Sequence, residues 1–310
     1  QGVNAWSKVM NVVFCAYIRC FSENFRKLLK PNVILAQGMS DAEISEQVTS
    51  CLKPHYELGK RIRIGDTDQK QYDKSQNNVT HAFDTLLLQL TGINQYYEDL
   101  YHEMCESWTS FYPSFFKCYG KYTKQSGRPD TFDFNSSLCL AINGKLFSLT
   151  TFLLAIFKGD DFSLFNDYIN IDDQNRKIIE DLGFITKLNI GDISEFTGFI
   201  VTPYGYYPDL IRNICKILNK TITSEESFEE LKLAVHDRLQ VINNYAVQRL
   251  GQRYLMEYYN LYFKENKYNN YITLTDIIEF EEFLFNFKGL KYDHLPILHR
   301  MAVTLFNNNH

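Results

Sequence analysis

Residues 153–165 read LLAIFKGDDFSLF. Two short apolar runs flank Gly159, Asp160 and Asp161, and the pattern predicts a strand–turn–strand hairpin with its arms in a core. An unpaired carboxylate in apolar surroundings is costly. The two aspartates therefore either sit on an exposed turn and do nothing, or meet a cation there. Aspartate and glycine are ordinary turn residues, so the tripeptide alone does not decide. What surrounds it does.

Helical spacing precedes this hairpin. In AWSKVMNVVFCAYIRCFSENFRKLL the apolar residues fall at 6, 9, 10, 13, 14, 17, 18, 21, 25, 28 and 29, and Pro31 closes the helix. A second helix is predicted around 40–52. RIRIGDTD (61–68) alternates and predicts a strand that runs into carboxylates. Spacing turns helical again over 77–108, and KQSGRPD (124–130) is a loop before a helix over 133–148. After the hairpin come a short helix (172–183) and two strands in FITKLNI and EFTGFIVT. From Pro208 the pattern is helical. Thr223 and Glu226 are placed as a capping box ahead of a stretch running to about Leu250, with more helix near 252–264 and 275–287. Helices, a mixed strand–helix centre and a helical tail predict an α+β fold.

Bulk properties narrow the function classes. The 310 residues are 45% hydrophobic and 15% aromatic, enough for a substantial core and unlike a disordered chain. Net charge is −5. Residues 1–63 carry nine Lys/Arg against five Asp/Glu, a net +4, which leaves −9 for the remainder. A basic front on an acidic body fits an anionic ligand, and also an ordinary helix surface. The seven cysteines include no CxxC pair, which argues against a zinc ribbon or a disulfide framework and for free thiols in a reducing compartment. The longest uncharged apolar stretch, Leu146–Phe157, is too short for a membrane span. No signal peptide is recognised, and the start at Gln1 is read as the edge of a fragment.

Further acidic and polar residues join the hairpin aspartates. Asp68 ends the strand of RIRIGDTD, and Asp73 follows five residues later. Carboxylates at the ends of neighbouring strands can converge, and two Mg²⁺ ions about 3.5–4 Å apart would need such oxygen ligands for in-line phosphoryl displacement. In SGRPDTFDFNSS, Gly127 permits close backbone approach, and Asn135 on the following helix is placed to hydrogen-bond a ribose hydroxyl. A plain loop and N-cap is the alternative for this segment.

Taken in order, these segments resemble the palm of a viral RNA-dependent RNA polymerase of the alphavirus-like, positive-strand class. QGVNAWSK (1–8) resembles the QG-x-x-AWSK segment at the end of the fingers motif, with Lys8. DTDQKQYDKSQ (66–76) resembles motif A, D-x-x-x-x-D, with Asp68 and Asp73. SGRPDTFDFN (126–135) resembles motif B, with Ser126, Gly127, Thr131 and Asn135. KGDD (158–161) resembles motif C, with Asp160 and Asp161. LGFITKLNI (182–190) is similar to motif D, with Lys187. EFTGFIVTPYG (195–205) resembles the motif E region, and YYPDLIRNICKIL the start of a thumb. The resemblance covers roughly residues 1–218.

The resemblance implies a right-hand architecture: partial fingers at 1–60, a palm with a small antiparallel sheet at 61–205, and a helical thumb at 206–310. It implies Mg²⁺ or Mn²⁺ on Asp68 and Asp160, with Asp161 assisting, and recognition of the ribose 2′-OH by Asp73 and Asn135. Ser126 and Thr131 would support that network and the template. Lys187 would protonate the leaving pyrophosphate, the alternative being a solvated strand lysine. Lys8 and Arg19 would lie near the incoming triphosphate, the alternative for Arg19 being an exposed helix position. The implied partners are template and nascent RNA, ribonucleoside triphosphates and other domains of a replicase polyprotein, on membrane-associated complexes in the host cytoplasm. The competing reading is a virus-derived remnant that binds RNA or a partner without catalysis. A reverse transcriptase is disfavoured, because Lys158–Gly159 stands where an aromatic-x pair would precede the aspartates, and Asp73 stands where a bulky gate would.

Overall fold

The computed structural model describes residues 8–112, 116–125, 127–147, 149, 151–265 and 271–309. In chain order the elements are α1 (Lys8–Leu28), β1 (Val33–Leu35), α2 (Asp41–Glu57), β2 (Arg63–Gln69), α3 (Tyr72–Ser75), α4 (Asn78–Leu90), α5 (Gln95–Glu106), β3 (Trp108–Tyr112), β4 (Phe116–Gly120) and α6 (Thr131–Leu146). They continue with β5 (Leu154–Lys158), β6 (Asp161–Asn166), α7 (Asp173–Asp181), β7 (Thr186–Gly191), β8 (Ser194–Phe196), β9 (Phe199–Thr202), β10 (Gly205–Pro208), α8 (Leu210–Asn219), α9 (Glu225–Leu239), α10 (Tyr245–Glu265), α11 (Leu274–Phe287) and α12 (Leu295–Asn309). The elements group into two compact units. One holds residues 1–37 and 63–190, the other 38–62 and 191–310.

The first unit is built on a five-stranded sheet in the order β1-β5-β6-β2-β7. The β5–β6 and β6–β2 pairs are antiparallel, and β1 adds to β5 in parallel. The expected hairpin is β5–β6, with Lys158 opposite Asp161. Its arms supply buried Leu154, Ala155, Ile156, Phe157, Phe162, Leu164 and Phe165. One core packs the sheet against α6 and α7 through Leu138, Cys139, Ile142, Leu146 and Ile179. A second joins Phe14, Ile18 and Phe21 of α1 to Leu88, Tyr101, Met104 and Phe134. Full burial of an aliphatic or aromatic side chain contributes about 1.5–3 kcal/mol, so these two clusters hold the unit together.

The helical spacing over 77–108 resolves into two helices rather than one. Asn77 caps α4 through Val79 and Thr80, Gly92 leaves at φ +75°, and Asn94 caps α5 through Tyr96. Trp108 then enters the β3–β4 hairpin, which apolar spacing alone does not distinguish from helix. The short parallel strand β1 was likewise not anticipated.

In the second unit β8, β9 and β10 form an antiparallel sheet, against which α2 and α10 pack. The Tyr206 amide donates to Ser45 Oγ at 3.1 Å. Gly205 has φ +120°, and a Cβ there would collide with that hydroxyl. The capping box expected at Thr223 and Glu226 lies one residue later: Ser224 accepts from the Ser227 amide at 3.2 Å, and Ser227 serves as the N3 partner. The stretch expected to run unbroken to Leu250 is interrupted by a 3-10 turn, Gln240–Asn243. Asn244 restarts it by accepting from the Ala246 amide at 2.9 Å.

Candidate active site

The hairpin turn is shaped by its glycine. Gly159 adopts φ +63°, a conformation that costs other L-residues roughly 1 kcal/mol or more, and with Asp160 it makes a two-residue loop that leaves Asp161 at the start of β6. The turn is tied to α6. The Gly159 amide donates to Ser136 Oγ at 2.9 Å, and the Cys139 thiol points at the Asp160 carbonyl at 3.6 Å. Asp160 and Asp161 are exposed at the turn. The Asp160 carboxyl is nevertheless held above its ordinary range, first by partial burial and then by the negative charges of Asp73 and Asp68. Asp73 and Asp68 thus act electrostatically on the Asp160 carboxyl.

Asp68, near the end of β2, faces β7, where Lys187 Nζ lies 3.1 Å from Asp68 Oδ2. Both side chains are more than 60% exposed, and an ion pair this solvated contributes about 0–1 kcal/mol. Asp73 lies in α3. Asn135 Nδ2 donates to Asp73 Oδ1 at 2.7 Å, so the two residues expected to read a ribose hydroxyl are in direct contact. Two residues that sequence reasoning did not assign to the site complete this contact. Gln76 Nε2 donates to Asn135 Oδ1 at 2.5 Å, and buried Tyr72 donates its hydroxyl to the Asn135 carbonyl at 3.1 Å. Gln76 orients the Asn135 amide so that its NH₂ faces Asp73.

The loop before α6 is fixed from beneath by a buried ionic cluster. Lys124 Nζ lies 2.5 Å from Asp84 Oδ2 and 3.0 Å from Asp130 Oδ2. Arg128 grips both oxygens of Asp130, Nε to Oδ1 at 3.0 Å and Nη2 to Oδ2 at 2.7 Å. Tyr101 donates to Asp130 at 2.8 Å. All four charged side chains are at most 2% exposed. Burial alone would raise the Asp130 carboxyl, but Arg128 and Lys124 outweigh it and hold Asp130 well below the usual carboxylate range. Lys124 and Arg128 bracket Gly127, which has φ +97°, and Thr131 Oγ1 donates to the Gln125 carbonyl at 2.7 Å. In the sequence KQSGRPD reads as a Gly/Pro-bearing loop, and Asp84 lies 40 residues from Lys124, so only the fold discloses the cluster.

The remaining expected residues fall as follows. Ser126 lies outside the described residues, as do residues 1–7 of the QGVNAWSK segment. Lys8 is exposed at the start of α1. Arg19 is exposed on the same helix and pairs with Glu23 at 3.2 Å, the environment of an ordinary helix surface. His81 and His102, which carry no ligand spacing in the sequence, contact each other through their ring nitrogens at 2.8 Å.

Among the described residues no three His, Cys, Asp or Glu side chains are gathered closely enough to hold a metal ion. The donor chemistry nonetheless fits one. Asp68, Asp160 and Asp161 offer only oxygen, the ligand of hard divalent cations. Partial burial, and after it the charges of Asp73 and Asp68, raise Asp160, and a cation there would offset both.

Comparison with known proteins agrees with this geometry. A family model described as RNA dependent RNA polymerase matches residues 1–285, well past the thumb segment at which the motif resemblance ended. The chain is 28% identical over 255 residues to the non-structural polyprotein pORF1 of hepatitis E virus genotype 3 (isolate swine swUS1), covering 79% of this chain and 14% of the polyprotein. Identity to the same polyprotein of genotype 1 (isolate human Burma) is 26% over 248 residues, with the same coverage. The chain thus spans about one seventh of the length of these relatives. Among solved structures, the RNA-dependent RNA polymerase of a human picobirnavirus superposes with a TM-score of 0.58 at 14% identity, covering 83% of this chain and 51% of that one. That of bacteriophage phi12 gives 0.51 at 13% identity, covering 98% and 51%. The fold is shared with these polymerases, and with 285 of 310 residues matched by the family model the chain belongs to the RNA dependent RNA polymerase family, in its alphavirus-like branch.

Proposed function

We propose that this chain is the polymerase core of a viral replicase, adding ribonucleoside triphosphates to an RNA 3′ end on an RNA template. The observation that carries the reading is the tie of separate segments to α6: Asn135 bonds Asp73 from the segment after β2, and Ser136 accepts from the Gly159 amide of the turn that carries Asp160, in a chain of the RNA dependent RNA polymerase family. In this reading residues 1–60 are part of the fingers, 61–205 the palm and 206–310 the thumb. Asp68 and Asp160, with Asp161, hold Mg²⁺ or Mn²⁺. Divalent ions held there would supply an activated attacking hydroxyl and charge shielding for the pyrophosphate.

The chain's own residues do the rest. Asp73 and Asn135 accept from and donate to the 2′-OH of the incoming nucleotide, which separates ribose from deoxyribose. Gln76 and Tyr72 keep the Asn135 amide in place. Lys187 Nζ donates a proton to the leaving pyrophosphate as a general acid. The buried Lys124–Asp84–Asp130–Arg128 cluster fixes Gly127 ahead of α6, with Thr131 closing the loop, and Ser126 would support the template. Lys8 adds positive charge towards the triphosphate, whereas Arg19, paired with Glu23 on an exposed helix face, is given no role there. The replicase would work with further polyprotein domains on membrane-associated complexes in the host cytoplasm. Among the described residues no helix is long and apolar enough to cross a membrane.

Primer extension on an RNA template with Mg²⁺ or Mn²⁺ tests the assignment. Wild type is expected to extend, and Asp160→Asn to fail while melting at the same temperature. Extension at the wild-type rate by Asp160→Asn would refute it.

A further inference from the structure

Helix α6 carries a buried polar line. Ser136, Cys139 and Asn143 stand three and four residues apart, which puts them on one helix face, and all three are fully buried. A helix face turned into a core ordinarily carries apolar side chains, and a polar group is tolerated there when it is hydrogen-bonded. Ser136 is bonded to the hairpin turn. Its hydroxyl donates to the Phe132 carbonyl at 2.9 Å, one turn back in the helix, which fixes the oxygen. That oxygen accepts from the Gly159 amide at 2.9 Å. The β5–β6 ladder ends at the Lys158–Asp161 pair, so the Gly159 amide lies beyond it and Ser136 supplies its partner. Cys139 adds to the grip, with its thiol 3.6 Å from the Asp160 carbonyl and 3.9 Å from that of Asp161. Burial, and after it the charge of Asp160, push this thiol well above its ordinary range, so it keeps its proton and can donate.

Asn143 ties the same helix to the neighbouring strand. Its Nδ2 donates to the Cys139 carbonyl at 2.9 Å, which leaves Oδ1 to accept from Thr67 Oγ1 at 2.8 Å. Thr67 immediately precedes Asp68 in β2, and successive side chains of a strand point to opposite faces. Thr67 is accordingly buried on the α6 side, while Asp68 is exposed. One helix thus holds the residue before Asp68 and the residue before Asp160.

We propose that Ser136 is a positioning residue for the Asp160 carboxylate: with α6 locked to β2 through Asn143 and Thr67, its hydroxyl holds the Gly159–Asp160 turn at a set place relative to Asp68. The role rests on the proposed divalent-ion site, to which Ser136 itself gives no ligand. Carboxylates held in place before a cation arrives bind it at a lower ordering cost. Removing a hydrogen bond that orients a metal ligand typically weakens metal affinity or activity roughly 10–100-fold.

Mn²⁺ titration of the full chain, read by electron paramagnetic resonance, tests it on wild type, Asp160→Asn, Ser136→Ala and Ser137→Ala. Ser137 is the control. It is buried on the same helix, and its hydroxyl donates to the Asp133 carbonyl at 3.0 Å, so its loss costs the same kind of local bond as that of Ser136 to Phe132. Asp160→Asn is expected to abolish Mn²⁺ binding, Ser136→Ala to weaken it about tenfold, and Ser137→Ala to leave it within twofold. Hydrogen exchange reads the tie itself. The Gly159 amide is expected to exchange about tenfold faster in Ser136→Ala, while the Ala155 amide, bonded to the Asn32 carbonyl at 2.9 Å, stays within threefold and reports an intact sheet. Wild-type Mn²⁺ binding by Asp160→Asn would defeat the divalent-ion reading, and the positioning role with it. Loss of the ion in Asp160→Asn with wild-type binding in Ser136→Ala, or equal weakening in Ser137→Ala and Ser136→Ala, would overturn the positioning role alone.

Discussion

Replacing Lys124 with methionine is the sharpest test of how the loop before α6 is held. The substitution keeps most of the side-chain volume and removes the charge. It deletes the 2.5 Å contact to Asp84 and the 3.0 Å contact to Asp130. The two acids are not equally affected. Asp130 keeps both bonds from Arg128 and the Tyr101 hydroxyl. Asp84 keeps only a 3.3 Å contact with that hydroxyl, while its Oδ1 is already buried without a partner. Lys124→Met therefore strands one carboxylate in a site 2% exposed. Removing one partner of a buried pair costs about 3–5 kcal/mol, whereas replacing both by apolar residues of similar size is often neutral or better. Lys124→Met is thus expected to lose about 3–5 kcal/mol in urea unfolding at pH 7, and Lys124→Met with Asp84→Leu to regain at least half of that. The loss should shrink towards pH 5 as the stranded Asp84 takes up a proton. A loss below about 1 kcal/mol for the single variant, or a double variant no better than the single, would show that the cluster does not carry the loop in the way its geometry indicates.

Three other outcomes follow from particular contacts. Gly251→Ala would normally stabilise a helix interior by about 0.8–1 kcal/mol, but a methyl group there falls on the ring of fully buried Tyr207. A net loss of about 1–3 kcal/mol is expected, and a gain in melting temperature would refute the packing. Glu281 is buried, bonds Gln252 at 2.8 Å and leaves Oε1 unpartnered, and burial pushes its carboxyl up to about 8. Between the unfolded value near 4.3 and that folded value the native state binds the extra proton, so stability falls as pH rises through this window. The ceiling on the loss is about 5 kcal/mol at 1.36 kcal/mol per pH unit. Glu281→Gln should flatten the pH dependence of chemical unfolding, and an unchanged slope would count against it. Asn135→Ala, which frees Asp73 from its 2.7 Å partner, is expected to narrow the preference for ribo- over deoxyribonucleotides about tenfold in single-nucleotide incorporation, and an intact preference would remove Asn135 from ribose recognition.

Elements whose signal is local were legible in the sequence. The β5–β6 hairpin reads from two apolar runs around Gly-Asp-Asp, and α6 and α7 from their spacing. What stayed hidden depends on partners distant in sequence. Three-residue β1 gains its identity from Ala155–Phe157, and the β3–β4 hairpin shares aromatic composition with the helices before it. The break at 240–244 lies inside an apolar pattern that continues on both sides, so periodicity carries across it. At the site, Asp68, Asp73, Asn135 and the hairpin aspartates were accessible because the motifs space them along the chain. Gln76 and Asp84 were not, because a glutamine after a short turn and an aspartate inside a helix carry no pattern. Their importance arises only from the 2.5 Å contacts to Asn135 and Lys124.

The contact between Asp68 and Lys187 bears on how the carboxylates come together. Asp68 and Asp160 repel, and the repulsion helps raise Asp160. Lys187 places a positive charge on Asp68 at that edge. The pair is solvated on both sides, so releasing it costs about 0–1 kcal/mol, far less than a buried pair would. In the proposed mechanism Asp68 would hold a divalent ion, and Lys187 Nζ, only weakly paired with Asp68, would be available to the pyrophosphate. The weakness of the pair is then what the chemistry needs. Lys187→Met should accordingly lower the rate of nucleotide addition while leaving the Mg²⁺ concentration for half-maximal rate unchanged or lower, because it removes a proton donor and a competitor of the metal at once. If the variant instead needed more Mg²⁺ at an unchanged maximal rate, Lys187 would be supporting the metal site rather than giving it up.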